Sequence, residues 1–268
     1  MRVLVIGAGN MGFTYAEGMS KSTLLNRHNL MIYDKSPELI ASLSKLEYFD
    51  VYRDIEKCLT TADIVFLAVK PYHCEGLFKE IKSMVNKEQI IVSIMAGVTI
   101  KTIQEGLGLK KVVRAMPNLP AQVGKGVTSY TAAADVSRIE LLTVRNLLDT
   151  TGESIKVENE NFIDASTGIS GSGPAYVFYF MQSMLEAALK MGFSKNDSKI
   201  LVSKTFEGAV ELFNQFDLSP ESWMDKVASK GGTTRAALDS MEDNNVKELI
   251  KDAAYAAFDR AVELGKEK

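Results

Sequence analysis

Histidine is scarce in this 268-residue chain, which has two, and cysteine and tryptophan are no commoner, at two and one. His28 and His73 have no carboxylate placed by sequence to orient them, so chemistry led by a histidine base is disfavoured. Cys58 and Cys74 show neither disulfide nor metal-ligand spacing. No metal is expected, and a reducing cytoplasm is the expected compartment. Excess positive charge is missing too: the formal net charge is −3, so no global field attracts a polyanion, and nucleic acid is excluded as an expected partner. Long uninterrupted apolar runs are lacking. The most apolar stretch, 169–193, is broken by Pro174, Gln182, Glu186 and Lys190, so no membrane span is expected. The opening MRVLVIGAGNMG reads as a strand and a turn rather than a secretory signal.

What is present suits a folded protein of one large or two modest domains, with 46% hydrophobic and 24% charged residues. The first part alternates β-branched runs with helical periodicity, the pattern of a parallel sheet covered by helices. RVLVI (2–6), LMIY (30–33), DIVFLAV (63–69), IIVSI (90–94) and VVRAM (112–116) read as strands, with a weaker one near residue 52. Helices are expected near 10–20, 37–46, 54–61, 75–85 and 99–107, and Pro37 suits a helix first turn. After residue 160 strand signals stop. Long helices follow, one punctuated by Pro174 and Gly192, and another covering the C-terminal end with apolar positions near a 3.6-residue period. The fold class expected is α/β: a Rossmann-type doubly wound sheet over 1–160, then an all-helical domain over 161–268. Apolar residues on several faces of the helical part suit packing against another copy. A well-filled monomeric bundle is the comparable alternative.

VIGAGNMG places Gly7, Gly9 and Gly12 after an apolar strand and at the start of a helix. Dinucleotide binding asks for this arrangement: Gly7 for the tight turn, Gly9 for close approach of a pyrophosphate, Gly12 for packing of helix on strand. The helix start offers free N–H groups and partial positive charge to phosphates. Asp34, 22 residues beyond Gly12, stands where a ribose-reading carboxylate belongs and argues for NADH; Lys35 and Ser36 argue the other way. The choice between NADH and NADPH stays open at this point. LAVKP (67–71) ends the strand at which the sheet order should reverse, so its C-terminal edge faces the ligand crevice. Lys70 there either lines the cofactor site or is a solvated strand end.

Taken in order, VIGAGNMG, LAVKP, SIMAGVTI, VVRAMPN, SGSGPAYVF and SKGGTTRAAL make the chain resemble the pyrroline-5-carboxylate reductase family along essentially its whole length. The resemblance implies hydride transfer from NADPH or NADH to a cyclic imine, Δ1-pyrroline-5-carboxylate, giving L-proline, the last step of proline biosynthesis. It also implies a helical dimerisation domain and a homodimer or a dimer-based larger oligomer. By motif position, Gly7, Ala8, Gly9, Asn10, Met11, Gly12, Ser36, Ala68, Val69, Lys70, Pro71, Met95, Ala96 and Gly97 would bind the dinucleotide, with Asp34 at the ribose. Arg114 through Asn118 would shape the nicotinamide end. The substrate carboxylate would rest on donors around Ser229, Gly232, Thr233 and Thr234, and the Thr234 hydroxyl would orient the iminium or relay a proton. Read without the resemblance, KGGTTR is a glycine loop with a threonine N-cap, a common way to start a helix.

Two positions depart from the family pattern, which commonly has proline where this chain has Lys230 and threonine where it has Leu119. Lys230 either loosens the substrate loop or adds positive charge near the carboxylate. Two rivals remain: a reductase of the 3-hydroxyacid dehydrogenase kind, which needs a positioned lysine such as Lys190 or Lys204, and a dinucleotide-binding regulatory relative without turnover.

Overall fold

The computed structural model describes residues 1–266. Six parallel strands, β1 (Val3–Ile6), β2 (Leu30–Tyr33), β3 (Asp50–Tyr52), β4 (Ile64–Leu67), β5 (Ile90–Ser93) and β6 (Val112–Met116), are joined by β7 (Gly126–Ala132) and β8 (Gly152–Lys156). They form one sheet in the order β3-β2-β1-β4-β5-β6-β7-β8. β7 runs antiparallel to β6, and β8 parallel to β7. The order reverses between β1 and β4, so the doubly wound arrangement holds and the crevice opens at the C-terminal ends of those two strands.

The central strands β1, β2 and β4 are apolar and buried at every position because both sheet faces are covered. Successive side chains point to opposite faces. Val3, Val5, Leu30, Ile32, Ile64, Phe66 and Val92 accordingly build one core. Leu4, Ile6, Met31, Val65, Leu67 and Ile91 build the other. Helices α1 (Asn10–Lys21), α2 (Pro37–Leu43), α3 (Ile55–Leu59), α4 (Cys74–Ile81), α5 (Ile100–Leu107) and α6 (Arg138–Leu148) cover these layers. The N-terminus of α2 is set by Ser36, whose side chain accepts from the Leu39 amide, with Pro37 next in line.

β7 and β8 were not legible from composition. β7 reads GVTSYTA, three of its seven residues being Ser or Thr, and β8 reads GESIK at the sheet edge. Neither is an apolar run: β8 lies at the edge and buries little, while β7, paired on both sides, buries Thr128, Ser129 and Thr131 beside Tyr130. Tyr15 on α1 finds its partner on β7: its fully buried hydroxyl lies 2.7 Å from Thr128 Oγ1. Burial pushes the Tyr15 pKa up to about 12. Below pH 10 the ring is neutral folded or unfolded. Between about pH 10 and 12 only the unfolded chain releases this proton, so unfolding free energy falls by about 1.4 kcal/mol per pH unit. Denaturant titrations across that window should show this loss, and Tyr15→Phe should remove one proton's worth of the slope.

Contacts divide the chain into two compact units, one of Met1–Ser172 with the stretch from Ala256 onward, the other Gly173–Tyr255. The division falls twelve residues past 160 because α7 (Glu160–Ser166) and the π-helical turn Thr167–Gly171 pack with the sheet unit. Arg114 of β6 makes two ion pairs to α7, through Glu160 and Asp164.

The second unit holds α8 (Gly173–Lys190), α9 (Lys195–Gln215), α10 (Pro220–Val227), α11 (Thr233–Asp243) and the first part of α12 (Val246–Lys266). A well-filled bundle would bury its apolar faces. Here α8, α10 and α11 contain no buried residue, and α9 buries only Ser198 and Val202. Phe178, Tyr179, Met191, Phe213 and Val227 are all more than half exposed. An apolar surface of this extent marks an association face. Among the described residues no helix is long and apolar enough to cross a membrane.

Candidate active site

The turn after β1 takes the shape that its glycines permit. Gly7 sits at φ +96°, its amide donates to the Tyr33 carbonyl at 2.8 Å, and a Cβ there would come within 2.9 Å of the Ala68 backbone. A Cβ on Gly12 would overlap the carbonyl oxygen of Gly7. Gly9 has open space where its Cβ would be and caps α1 without a side chain. With no acidic residue in its first turn, α1 presents an uncompensated positive end to that space. Asn10 and Met11 form the first turn of the helix, and the Asn10 carbonyl accepts the Thr14 hydroxyl at 2.7 Å.

A cleft of about 660 Å³ opens beside this turn, lined by Gly7, Gly9, Asp34, Lys35, Ser36, Ala68, Val69 and Lys70 among others. Pro71 starts a short 3-10 turn that carries Tyr72 and His73 to the cleft wall. Asp34 binds both sides of the turn: one carboxylate oxygen accepts the Ala8 amide at 2.7 Å and the other the Ser36 amide at 2.9 Å. Lys35 pairs with Glu80 at 2.6 Å. Lys70 is exposed and has no ion pair among the described residues.

Met95, Ala96 and Gly97 follow β5 at the same end of the sheet. Gly97 takes φ +69°, and a Cβ there would come within 3.2 Å of the backbone of Leu264 on α12. Asn118, after β6, is committed by its side chain: its Oδ1 accepts the Val127 amide at 2.9 Å, and its Nδ2 donates to the Ser170 carbonyl at 3.1 Å. The structure thus gives Asn118 a bracing contact between the β6–β7 turn and the π-helical turn. Arg114, nearly fully buried, donates to Glu160 at 3.0 Å and Asp164 at 2.6 Å. The same oxygen of Glu160 accepts the Ile100 amide at 2.9 Å, linking α7 to the start of α5 just past the Met95–Gly97 turn. Sequence reasoning missed this cluster. Its one visible signal was a lone arginine inside an otherwise apolar strand.

Ser229, Gly232, Thr233 and Thr234 lie together in the helical unit. Gly231 is at φ +72°, the Gly232 amide donates to the Ser229 carbonyl at 2.9 Å, and a Cβ on Gly232 would overlap the Ser229 hydroxyl. Gly232 then caps α11 without a side chain, and the first turn of α11 has no acidic residue. Thr234 is half-buried in that turn, where helix amides lack intrahelical partners. Lys230 is exposed and forms no ion pair among the described residues.

Neither cysteine is suited to nucleophilic work. Both are buried and free, and burial pushes the Cys58 thiol up to about 11. His28 and His73 are both exposed. The structure does give His28 a carboxylate, Asp50 at 3.4 Å, which a sequence separation of 22 had concealed.

Residues 160–264 match the family described as pyrroline-5-carboxylate reductase dimerisation, and residues 2–97 the one described as NADP oxidoreductase, coenzyme F420-dependent. Pyrroline-5-carboxylate reductase 2 of Bacillus subtilis is 33% identical over 261 residues, covering 97% of this chain and 93% of that protein. The chain belongs to the pyrroline-5-carboxylate reductase family. Among solved members of that family, the Coxiella burnetii protein superposes with a TM-score of 0.90 at 30% identity, covering 98% of each chain. The Plasmodium falciparum pyrroline carboxylate reductase, solved with NADP bound, gives 0.89 at 29% identity, covering 99% of this chain and 98% of its own. The match to the dimerisation family covers the helices whose apolar faces are exposed.

Proposed function

We propose that this chain reduces Δ1-pyrroline-5-carboxylate to L-proline with NAD(P)H. The observation that carries the reading is the cleft beside Gly7–Gly12, whose Gly9 leaves open space over an uncapped helix start. Those residues fit a dinucleotide: backbone donors and the α1 dipole for the pyrophosphate, Asp34 and Ser36 at the ribose end, and Ala68 through Pro71 along the opposite wall. Met95 through Gly97 and Asn118 complete the strand-end edge on which the nicotinamide would rest. When bound, the coenzyme supplies a hydride to the imine carbon. The chain's own residues hold the imine at close range and orient it, and such positioning supplies much of the acceleration for an electrophile already activated by protonation.

The substrate carboxylate is assigned to backbone donors at the start of α11, with Ser229, Gly232 and Thr233 shaping the turn. The Thr234 hydroxyl orients the iminium. Thr234→Ala should lower kcat for pyrroline-5-carboxylate about tenfold, the worth of one well-placed hydrogen bond, while leaving coenzyme affinity unchanged. Thr234→Ser should recover most of the loss. Full turnover by Thr234→Ala would remove the assignment. The exposed apolar helices support a homodimer, or a larger assembly of dimers, and solution mass tests this.

Steady-state reduction of pyrroline-5-carboxylate, set beside a panel of 3-hydroxy acids, tests the reaction itself. The candidate lysines of the 3-hydroxyacid alternative are poorly placed: Lys190 is exposed, and Lys204 is exposed and paired with Glu207 at 2.7 Å. A non-enzymatic relative would bind coenzyme without turning over any cyclic imine, and complementation of a proline-requiring strain separates the two.

A further inference from the structure

We infer that the ribose end of this cleft selects NADH over NADPH, with Asp34 as the deciding residue and Glu80 as its accomplice. The inference rests on the dinucleotide reading of the cleft given above. Asp34 is not a free side chain that could turn away from a phosphate, because its two oxygens hold the Ala8 and Ser36 amides at 2.7 and 2.9 Å. Each oxygen keeps a further lone pair, so the fixed carboxylate still accepts from a ribose hydroxyl. Against a 2′-phosphate the same fixed charge repels.

The two residues that argue for NADPH in the sequence, Lys35 and Ser36, are both engaged elsewhere. The Lys35 ammonium is paired with Glu80 on α4 at 2.6 Å. The Ser36 hydroxyl gives its proton to Glu38 at 2.8 Å and accepts the Leu39 amide at 3.2 Å as the cap of α2. Three carboxylates, Asp34, Glu38 and Glu80, therefore stand against one ammonium around the turn that follows β2. Holding a 2′-phosphate there requires Lys35 to leave Glu80 and the phosphate to approach Asp34. Lys70, also in the cleft lining, follows β4, which β1 separates from β2, and it is assigned here to the part that both coenzymes share rather than to a 2′-phosphate.

The test is direct binding, without imine substrate, so that it stands even where turnover of pyrroline-5-carboxylate fails. The full-length protein is titrated separately with NADH and NADPH, following nicotinamide fluorescence. NADH should bind about tenfold more tightly, or better, the scale expected for one carboxylate facing a phosphate dianion in water. Asp34→Asn should narrow the ratio mainly by tightening NADPH, and Glu80→Gln, which releases Lys35, should move it the same way. Equal or tighter binding of NADPH by the unaltered protein overturns the inference, as does a Lys70→Ala variant that weakens NADPH alone. Should Asp34→Asn not fold, the unaltered protein and Glu80→Gln still decide. Absence of imine turnover with normal coenzyme binding would instead count against the proposed reaction and leave this preference standing.

Discussion

Gly12→Ala should all but abolish coenzyme binding, raising Kd at least about 100-fold, or about 2.7 kcal/mol. The reason is local. The added methyl overlaps the Gly7 carbonyl oxygen and comes within 2.9 Å of the Ala68 side chain. Gly7 cannot retreat, since it is held at φ +96° with its amide on Tyr33 and its own Cβ position against the Ala68 backbone. Helix α1 must therefore lift from β1 and β4, carrying its positive end away from the phosphates. Fluorescence titration with NADH reads the affinity, and circular dichroism of the unliganded protein reports whether the sheet unit survives. Gly9→Ala provides the control, because nothing lies within 4 Å of its Cβ position and its φ of −65° suits any residue. That variant should fold normally and still bind coenzyme weakly, its methyl occupying the space left for the pyrophosphate. Wild-type affinity in both variants would mean that the cleft is not the coenzyme site.

Arg114→Leu should cost about 3 kcal/mol of stability, the lower end for breaking a buried ion pair, because Glu160 remains partly exposed. The guanidinium is 3% exposed and serves two carboxylates one turn apart on α7, so its removal strands Asp164, itself 17% exposed. For a folded unit of this size that loss corresponds to a fall in Tm of about 6 to 12 °C. Arg114→Lys should fall between the two, since one ammonium cannot serve both carboxylates with the geometry of a fork. Calorimetry of the three proteins checks the order. Because Glu160 also holds the Ile100 amide, Arg114→Lys should raise KM for coenzyme more than an equally destabilising substitution far from α5.

Sequence carried the elements that obey one strong rule. β1, β2, β4, β5 and β6 are short, mainly apolar runs buried on both faces, and the glycine turn, Pro37 and the reversal at LAVKP each have a single steric or topological reading. Elements that depend on partners were harder to see. β7 and β8 are polar in sequence and become strands only because β6 offers a free edge and Tyr15 needs Thr128. Asp34 was visible as a carboxylate at ribose distance. That its oxygens would be fastened by Ala8 and Ser36, and that Lys35 would be taken by Glu80, are tertiary facts without a local signature. Asn118 was read only for a place at the coenzyme, and the bonds of its side chain to Val127 and Ser170 had no signature in the sequence. The exposed apolar helices were legible as an excess of hydrophobic residues, and the structure removes the alternative of a filled bundle.

The packing of Leu264 against Gly97 has a consequence for the order in which this protein can be made. A nascent chain leaves the ribosome N-terminus first, and domains generally fold as they emerge. The sheet could begin to assemble once β8 has emerged, but the turn at Met95–Gly97 is not covered until the end of α12 has been synthesised. The helical unit, lying between in sequence, is translated while the dinucleotide unit is still unfinished. Covering of the Met95–Gly97 turn is thus a late event in synthesis, even though the turn itself is translated before the whole helical unit.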